Sequence, residues 1–270
     1  MTDTASTRGP LRRILLIAGS VLVAGALVVA VVGVTRASTQ EDRTGLYTVG
    51  EGFSSLDVDV SVANVVVRFG DVDEAELDFD SSGTTIGFTY RVDGGTLRVK
   101  VGDTDWWPLG GLGLFDLDDD PSLVVTLPDT LDPIDLDVNG SVGNLDVDGG
   151  FRAVNLSSSA GEIRLTGSAT ELVLDSSAGS IIGTDLDVSG TVDVDSSAGN
   201  TTLSFSSLPS GMTVDTSAGD VRVDMPDGEY EIQTDTAVGR IDQGLPSSPG
   251  AERVYRFDTS AGNVTLRLAD

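Results

Sequence analysis

The residues of this chain with the most chemical potential recur at fixed spacing instead of gathering in one motif. Asp175, Asp195, Asp215, Asp235 and Asp258 each stand four positions before a glycine, in lines such as LVLDSSAGSI, VDVDSSAGNT, MTVDTSAGDV, IQTDTAVGRI and YRFDTSAGNV. Asp59 holds the same place in LDVDVSVANVVV, and Asn139 and Ser157 hold it in LDVNGSVGNL and VNLSSSAGEI. Stacked on neighbouring strands, such carboxylates would lie roughly 5 Å apart, where each pair repels by about 0.8 kcal/mol even in bulk water. Calcium could relieve that repulsion, because oxygen ligands from successive strands suit it; it is the one cofactor these residues leave open. The alternative is an Asx-turn, in which each Asp accepts hydrogen bonds from the amides of the following turn while water and small ions screen the column. The glycine-rich nonapeptide of calcium-binding β-rolls is absent, which favours the second arrangement.

A serine column two positions before the glycine (Ser141, Ser159, Ser177, Ser197, Ser217 and Ser260) is too repetitive to hold a nucleophile, which is singular and needs a base. Its expected role is hydrogen bonding between stacked turns. One stretch stands outside the repeat. Trp106, Trp107, Leu109, Leu112, Leu114 and Phe115, followed by an acidic run to Asp120, contain both tryptophans of the chain. Such a cluster reads either as an exposed recognition loop, since Trp is enriched at binding hot spots, or as a lid folded over one face of the domain.

Other chemistry is excluded by composition. No Cys or His exists, and Lys100 is the only lysine, which removes disulfides, thiol nucleophiles, Ser/His/Asp triads, Ser/Lys dyads and the common zinc sites. The net charge of -27 is expected to repel nucleic acid and anionic lipid headgroups, so that neither is an expected ligand of the outer domain. It also supplies solubility and resists edge-to-edge association of strands.

The elements that must position these columns follow from the repeat. Aligned on Gly143, Gly161, Gly179, Gly199, Gly219, Gly239 and Gly262, the copies are spaced by 18, 18, 20, 20, 20 and 23 residues, as in a solenoid. Within each copy, positions seven, five, three and one before the glycine (Leu172, Leu174, Ser176 and Ala178, for example) alternate and are expected to point inward. Apolar alternation resumes after the turn at Ile163 and Leu165, Val221 and Val223, and Val264 and Leu266. Each coil therefore reads as strand, tight Ser-Ala-Gly corner, strand and second turn. The fold class is all-β, a single-stacked parallel β-solenoid with about 20 residues per coil, right-handed by general crossover chirality. A hairpin-paired sandwich is the alternative. Residues 74–100 fall outside the repeat frame and read as edge strands or a capping hairpin.

Residues Ile14–Val34 are 21 consecutive uncharged, mainly apolar residues, about 31 Å long as a helix and sufficient to span a bilayer. Arg8, Arg12 and Arg13 precede them, so the positive-inside rule places residues 1–13 in the cytoplasm and the rest outside. The length exceeds that of a signal-peptide core, which favours a retained anchor over cleavage. Residues 35–45 form a polar stalk, and residues 46–270 the solenoid, with 106–120 inserted.

The DSSAG and DTSAG lines, together with SLDVDVSVANVVV and SLVVTLPDTL, resemble a bacterial family of adhesin-like proteins of unknown function that pair a membrane anchor with a β-solenoid. The resemblance covers residues 46–270 and implies no catalytic residues. The expected function is non-enzymatic: surface contact, adhesion or envelope interaction, with the membrane and a cell-surface or envelope protein as partners, no nucleic acid, and an oligomeric state the sequence leaves open. A carbohydrate-active β-helix enzyme working through Asp pairs is the alternative of a different class, and a passive structural or envelope-stress component a third.

Overall fold

Alternating Val, Leu and Asp bury a continuous stripe only in extended conformation, since period two places the apolar set on one face of a strand. The computed structural model describes residues 44–84, 86–102 and 120–269, and these contain strands and turns but no helix. Accordingly, no helix among them is long and apolar enough to cross a membrane. The expected span at 14–34 lies outside the described residues, as do Trp106, Trp107, Leu109, Leu112, Leu114 and Phe115.

In chain order the strands are β1 (Gly45–Val49), β2 (Ser55–Val62), β3 (Asn64–Gly70), β4 (Ala75–Asp80), β5 (Phe88–Asp93), β6 (Thr96–Val101) and β7 (Ser122–Pro128). Then follow β8 (Asp135–Val142), β9 (Leu145–Gly150), β10 (Ala153–Ala160), β11 (Ile163–Ala169), β12 (Glu171–Ser176), β13 (Ile181–Val188) and β14 (Thr191–Ala198). The last are β15 (Thr201–Phe205), β16 (Gly211–Ala218), β17 (Val221–Met225), β18 (Glu231–Val238), β19 (Ile241–Gln243), β20 (Val254–Ala261) and β21 (Val264–Leu268). They form two sheets. One runs β1-β4-β7-β3-β9-β11-β13-β15-β17-β21-β19, the other β18-β20-β16-β14-β12-β10-β8-β2-β6-β5. Each coil sends one strand to each sheet, and successive coils pair parallel and in register, Leu172 with Val192 and Val192 with Met212. A hairpin sandwich is thereby excluded. Antiparallel pairing is confined to β1–β4, β4–β7 and β5–β6.

The core is a ladder between the sheets. Leu172, Leu174, Val192, Val194 and Val214 face Ile163, Leu203, Val221 and Val223, all of them essentially excluded from solvent. The position three before the glycine is buried as expected, at Ser158, Ser176, Ser196, Thr216 and Thr259. The position one before it is not. Ala160, Ala178, Ala198, Ala218 and Ala261 are exposed, because the backbone turns the corner after the buried hydroxyl and strand alternation ends there.

Two departures from sequence order matter. The last coil, β20–β21, lies between β16–β17 and β18–β19, so the chain builds the outermost rung and then returns to fill the gap it left. The filler carries Tyr255, Phe257, Val264 and Leu266, all fully buried, whereas the outer rung offers Ile232, Thr234, Thr236, Ile241 and Gln243 at the paired positions. Burying the more apolar stripe on both sides is the favourable order. Similarly, β2 sits between β6 and β8, and β3 between β7 and β9. Residues 96–101 are thus a solenoid strand, with Leu97, Val99 and Val101 in register with Leu56, Val58 and Val60, and not part of a cap outside the frame. Only β5 of that region caps the sheet, and β4 joins the other sheet antiparallel.

Candidate functional site

The outward face of the second sheet gathers the aspartates. Strand by strand, the position four before the glycine reads Lys100, Asp59, Asn139, Ser157, Asp175, Asp195, Asp215, Asp258 and Asp235, the last two exchanged by the interleaved coil. Five carboxylates are therefore consecutive. At the other end Asp59 is 3.7 Å from the ammonium of Lys100. Partial burial raises the pKa of Asp175 and Asp215 above the ordinary carboxylate value, with Asp258 and Asp193 adding to the latter and Arg256 opposing. Asp195 is pushed up to about 6, first by desolvation and then by Asp193, Asp215 and Asp175. Asp57, two positions earlier on β2, is raised by desolvation and Asp137 against the pull of Arg98. Among the described residues no group of three or more acidic side chains converges on a point that could hold a metal ion. The column is a line, one oxygen pair per rung.

The expected Asx-turn does not form: none of these five aspartates accepts a hydrogen bond from the corner amides. The corner amides are satisfied differently: the glycine N–H donates to the carbonyl before the glycine of the next rung, as from Gly179 to Ala198 and from Gly199 to Ala218, both at 3.0 Å, and from Gly262 to Val238 at 2.9 Å. The residue after the glycine carries a second ladder. Asn64 Oδ1 accepts from the Asn144 amide, Asn144 Oδ1 from Glu162, Asn200 Oδ1 from Asp220, Asp220 Oδ1 from Asn263, and Asn263 Oδ1 from Arg240. This column of amide-capping side chains was readable as the Asn or Asp after the corner glycine, a signal overshadowed by the more regular Asp and Ser columns. Arg240, on the outermost rung, has no rung beyond it to cap.

Glycine is required at the corner for two reasons. Gly161, Gly179, Gly199, Gly219 and Gly262 adopt φ between 140° and 154°, and a Cβ at each would stand within 2.0 Å of the preceding rung's glycine carbonyl oxygen. Each Cβ would point toward the N-terminal end of the stack. Ala63, at the equivalent position, does not adopt the positive φ of the corner glycines, and the β6–β7 rung on its outer side has no Ser-Ala-Gly line between its strands. The residues that flank the Trp-rich stretch lie at this corner: Gly102 abuts Ser61, and the Pro121 carbonyl accepts from the Asn64 amide at 2.9 Å. The Ser-Ala ridge running from there, through Ser141 to Ser260, is exposed, and its serine hydroxyls make no side-chain hydrogen bonds between rungs.

The buried hydroxyls one position earlier are the polar residues the corner encloses. Ser176 Oγ donates to the Gly179 carbonyl at 3.3 Å, while Ser158, Ser196, Thr216 and Thr259 have no partner within hydrogen-bonding distance. On the other sheet, a polar groove of about 760 Å³ is lined by Asp185, Arg222, Asp224, Asp227 and Arg267. Arg222 is held by Asp224 at 3.0 Å.

The Toastrack DUF4097 family profile matches residues 53–269. No curated protein matches. Among solved structures, the chain is similar to a candidate adhesin from Bacteroides fragilis (15% identity, TM-score 0.46, covering 83% of this chain and 97% of that one). It is similar also to a candidate cell adhesion protein from Clostridium sporogenes (11%, 0.38, 84% and 99%) and a candidate lipid-binding protein from Parabacteroides distasonis (11%, 0.39, 84% and 97%).

Proposed function

We propose that this chain, which belongs to the Toastrack DUF4097 family, is a non-enzymatic scaffold anchored in the membrane by residues 14–34. It holds its right-handed solenoid outside the cytoplasm for contact with a cell-surface or envelope partner. The observation that carries the reading is the splice point of the Trp-rich insertion. Its flanking residues, Gly102 and Pro121, lie beside Ser61 and Asn64 in a stack whose strands are paired in register and whose corner backbone is bonded rung to rung. Fixing both ends of a contact segment on such a ladder lowers the entropy it loses on binding, which is how a scaffold contributes to affinity without chemistry of its own. Aromatic anchors such as Trp106, Trp107 and Phe115 supply the contact area.

The test is the full chain in phospholipid vesicles, comparing the parent with the Trp106→Ala/Trp107→Ala double variant for binding to isolated cell-envelope fractions. Loss of two aromatic anchors is expected to weaken binding by at least about thirtyfold, as for a pair of hot-spot residues. Unchanged binding removes the insertion as the contact.

A further inference from the structure

The two ends of the stack present different faces. At the end formed by β1 and β5, the inward-facing positions that no further rung covers are Tyr47, Ile86, Tyr90 and Val92, with Tyr90 39% exposed. Tyr47 packs on Phe88 and Tyr90 at ring-centroid distances of 5.1 and 5.6 Å, and Phe88 stacks on Phe79 at 4.8 Å. An apolar body with phenolic hydroxyls at its edge is the side-chain chemistry that settles at a membrane–water boundary. At the opposite end the equivalent inward positions are Ile232, Thr234, Thr236, Ile241 and Gln243, aliphatic and polar side chains with no aromatic ring among them.

Against the bulk charge of -27, the outward face beside the aromatic end gathers Arg91, Arg98 and Lys100 on β5 and β6, while Arg240, Arg253 and Arg256 lie among carboxylates toward the other end. Arg98 reaches Asp57 and Asp93, and Lys100 reaches Asp59, only at 3.7 Å and in the open, so these pairs bind their cations weakly. The other sheet is acidic at this end, with Glu76, Asp78 and Asp80 on β4, which orients any contact with an anionic surface toward β5 and β6. The polypeptide also enters here. Ten residues separate Val34 from β1, a tether of at most about 35 Å.

We propose that the β1–β5 end of the solenoid rests on the headgroup layer of the bilayer, Tyr90 and Tyr47 at the interface and Arg91, Arg98 and Lys100 toward anionic lipid. This rests on the anchored reading above. The absence of Cys makes single-cysteine probes clean. The full chain, labelled with a fluorophore at Asp93→Cys on β5 or Gln243→Cys on β19, is reconstituted in phosphatidylethanolamine–phosphatidylglycerol vesicles containing a headgroup nitroxide. Strong quenching at 93 and background quenching at 243 are expected. Charge reversal of Arg91, Arg98 and Lys100 to Glu reduces the quenching by at least about fivefold. Equal quenching at both positions in protein that co-floats with the vesicles overturns the end-on contact alone, and quenching at 93 that ignores the charge reversal overturns anionic lipid as its partner. Failure of the unlabelled chain to co-float overturns the anchored reading and this proposal with it.

Discussion

The β1–β5 end and the β18–β19 end solve one problem by opposite means. A parallel stack has no intrinsic last rung, and an uncovered rung offers both its apolar stripe and its edge amides to another chain. At the first end, foreign strands run antiparallel across the final rungs, and four rings, Tyr47, Phe79, Phe88 and Tyr90, close the space between the sheets. At the second, the last rung remains parallel but its inward face is partly polar, with Thr234, Thr236 and Gln243 beside Ile232 and Ile241, and Arg240 replaces the amide-capping residue. The loop after β19 then covers part of the edge. Ser247 Oγ accepts from the Ile232 amide at 2.9 Å, and Glu231 accepts from the Gly250 amide at 2.7 Å. A repeat can thus be stopped by covering its final rung or by making that rung poor enough to need no cover. The second route explains why the apolar coil that is last in sequence is not last in space.

The contrast can be broken most severely at the corner. Gly199→Val places side-chain atoms where the Gly179 carbonyl lies 2.0 Å from a Cβ, and is expected to cost more than about 4 kcal/mol or prevent folding. At the first end of the same column, Ala63→Gly removes one buried methyl and is expected to cost about 1 kcal/mol. Urea denaturation of both variants checks the difference; equal costs would mean that the corner carbonyls do not exclude a side chain. Next in size, Phe257→Ala in the interleaved coil should cost about 3–5 kcal/mol, whereas Thr234→Ala on the rung outside it should stay within about 1 kcal/mol. Comparable losses would place β18, and not β20, inside the stack.

The smallest effect concerns the aspartate column, and its sign is unusual. Because the folded-state pKa of Asp195 is raised to about 6 from an ordinary 3.8, the folded protein holds this proton more tightly than the unfolded chain does. Stability should therefore rise as the pH falls from 7 through 6 and level off below about 4, where both states are protonated. Asp195→Asn should raise the melting temperature at pH 7, by a margin that disappears near pH 4. A melting temperature of the parent that falls steadily from pH 7 to pH 5 would contradict the raised pKa.

The repeat, its register and its inward stripe were legible because strand alternation and a corner glycine are local properties: Leu172, Leu174 and Ser176 fall where period two puts them. Ala178 did not, since alternation says nothing once the backbone turns. The interleaving of β20–β21 was hidden because parallel pairing is blind to sequence distance. Only the longer interval between Gly239 and Gly262 hinted at a chain that goes out and comes back. The rung formed by β6 and β7 was missed for a related reason. Its corner glycine is lost to the insertion, so TLRVKV and SLVVTLP read as separate pieces although they flank one corner. The aspartate column was read correctly as a column. The Asx-turn expected of it was not, because whether a carboxylate caps an amide depends on the two or three residues of turn geometry that the asparagine after the glycine controls instead.

The contrast between the ends rests on which coil is outermost, and amide hydrogen exchange read strand by strand on the full chain tests it most directly. The interleaved order predicts fastest exchange in β18 and β19, with β20 and β21 protected like β16 and β17 despite lying last in the chain. Fraying of β20 and β21 at the rate of β18 and β19 would contradict it.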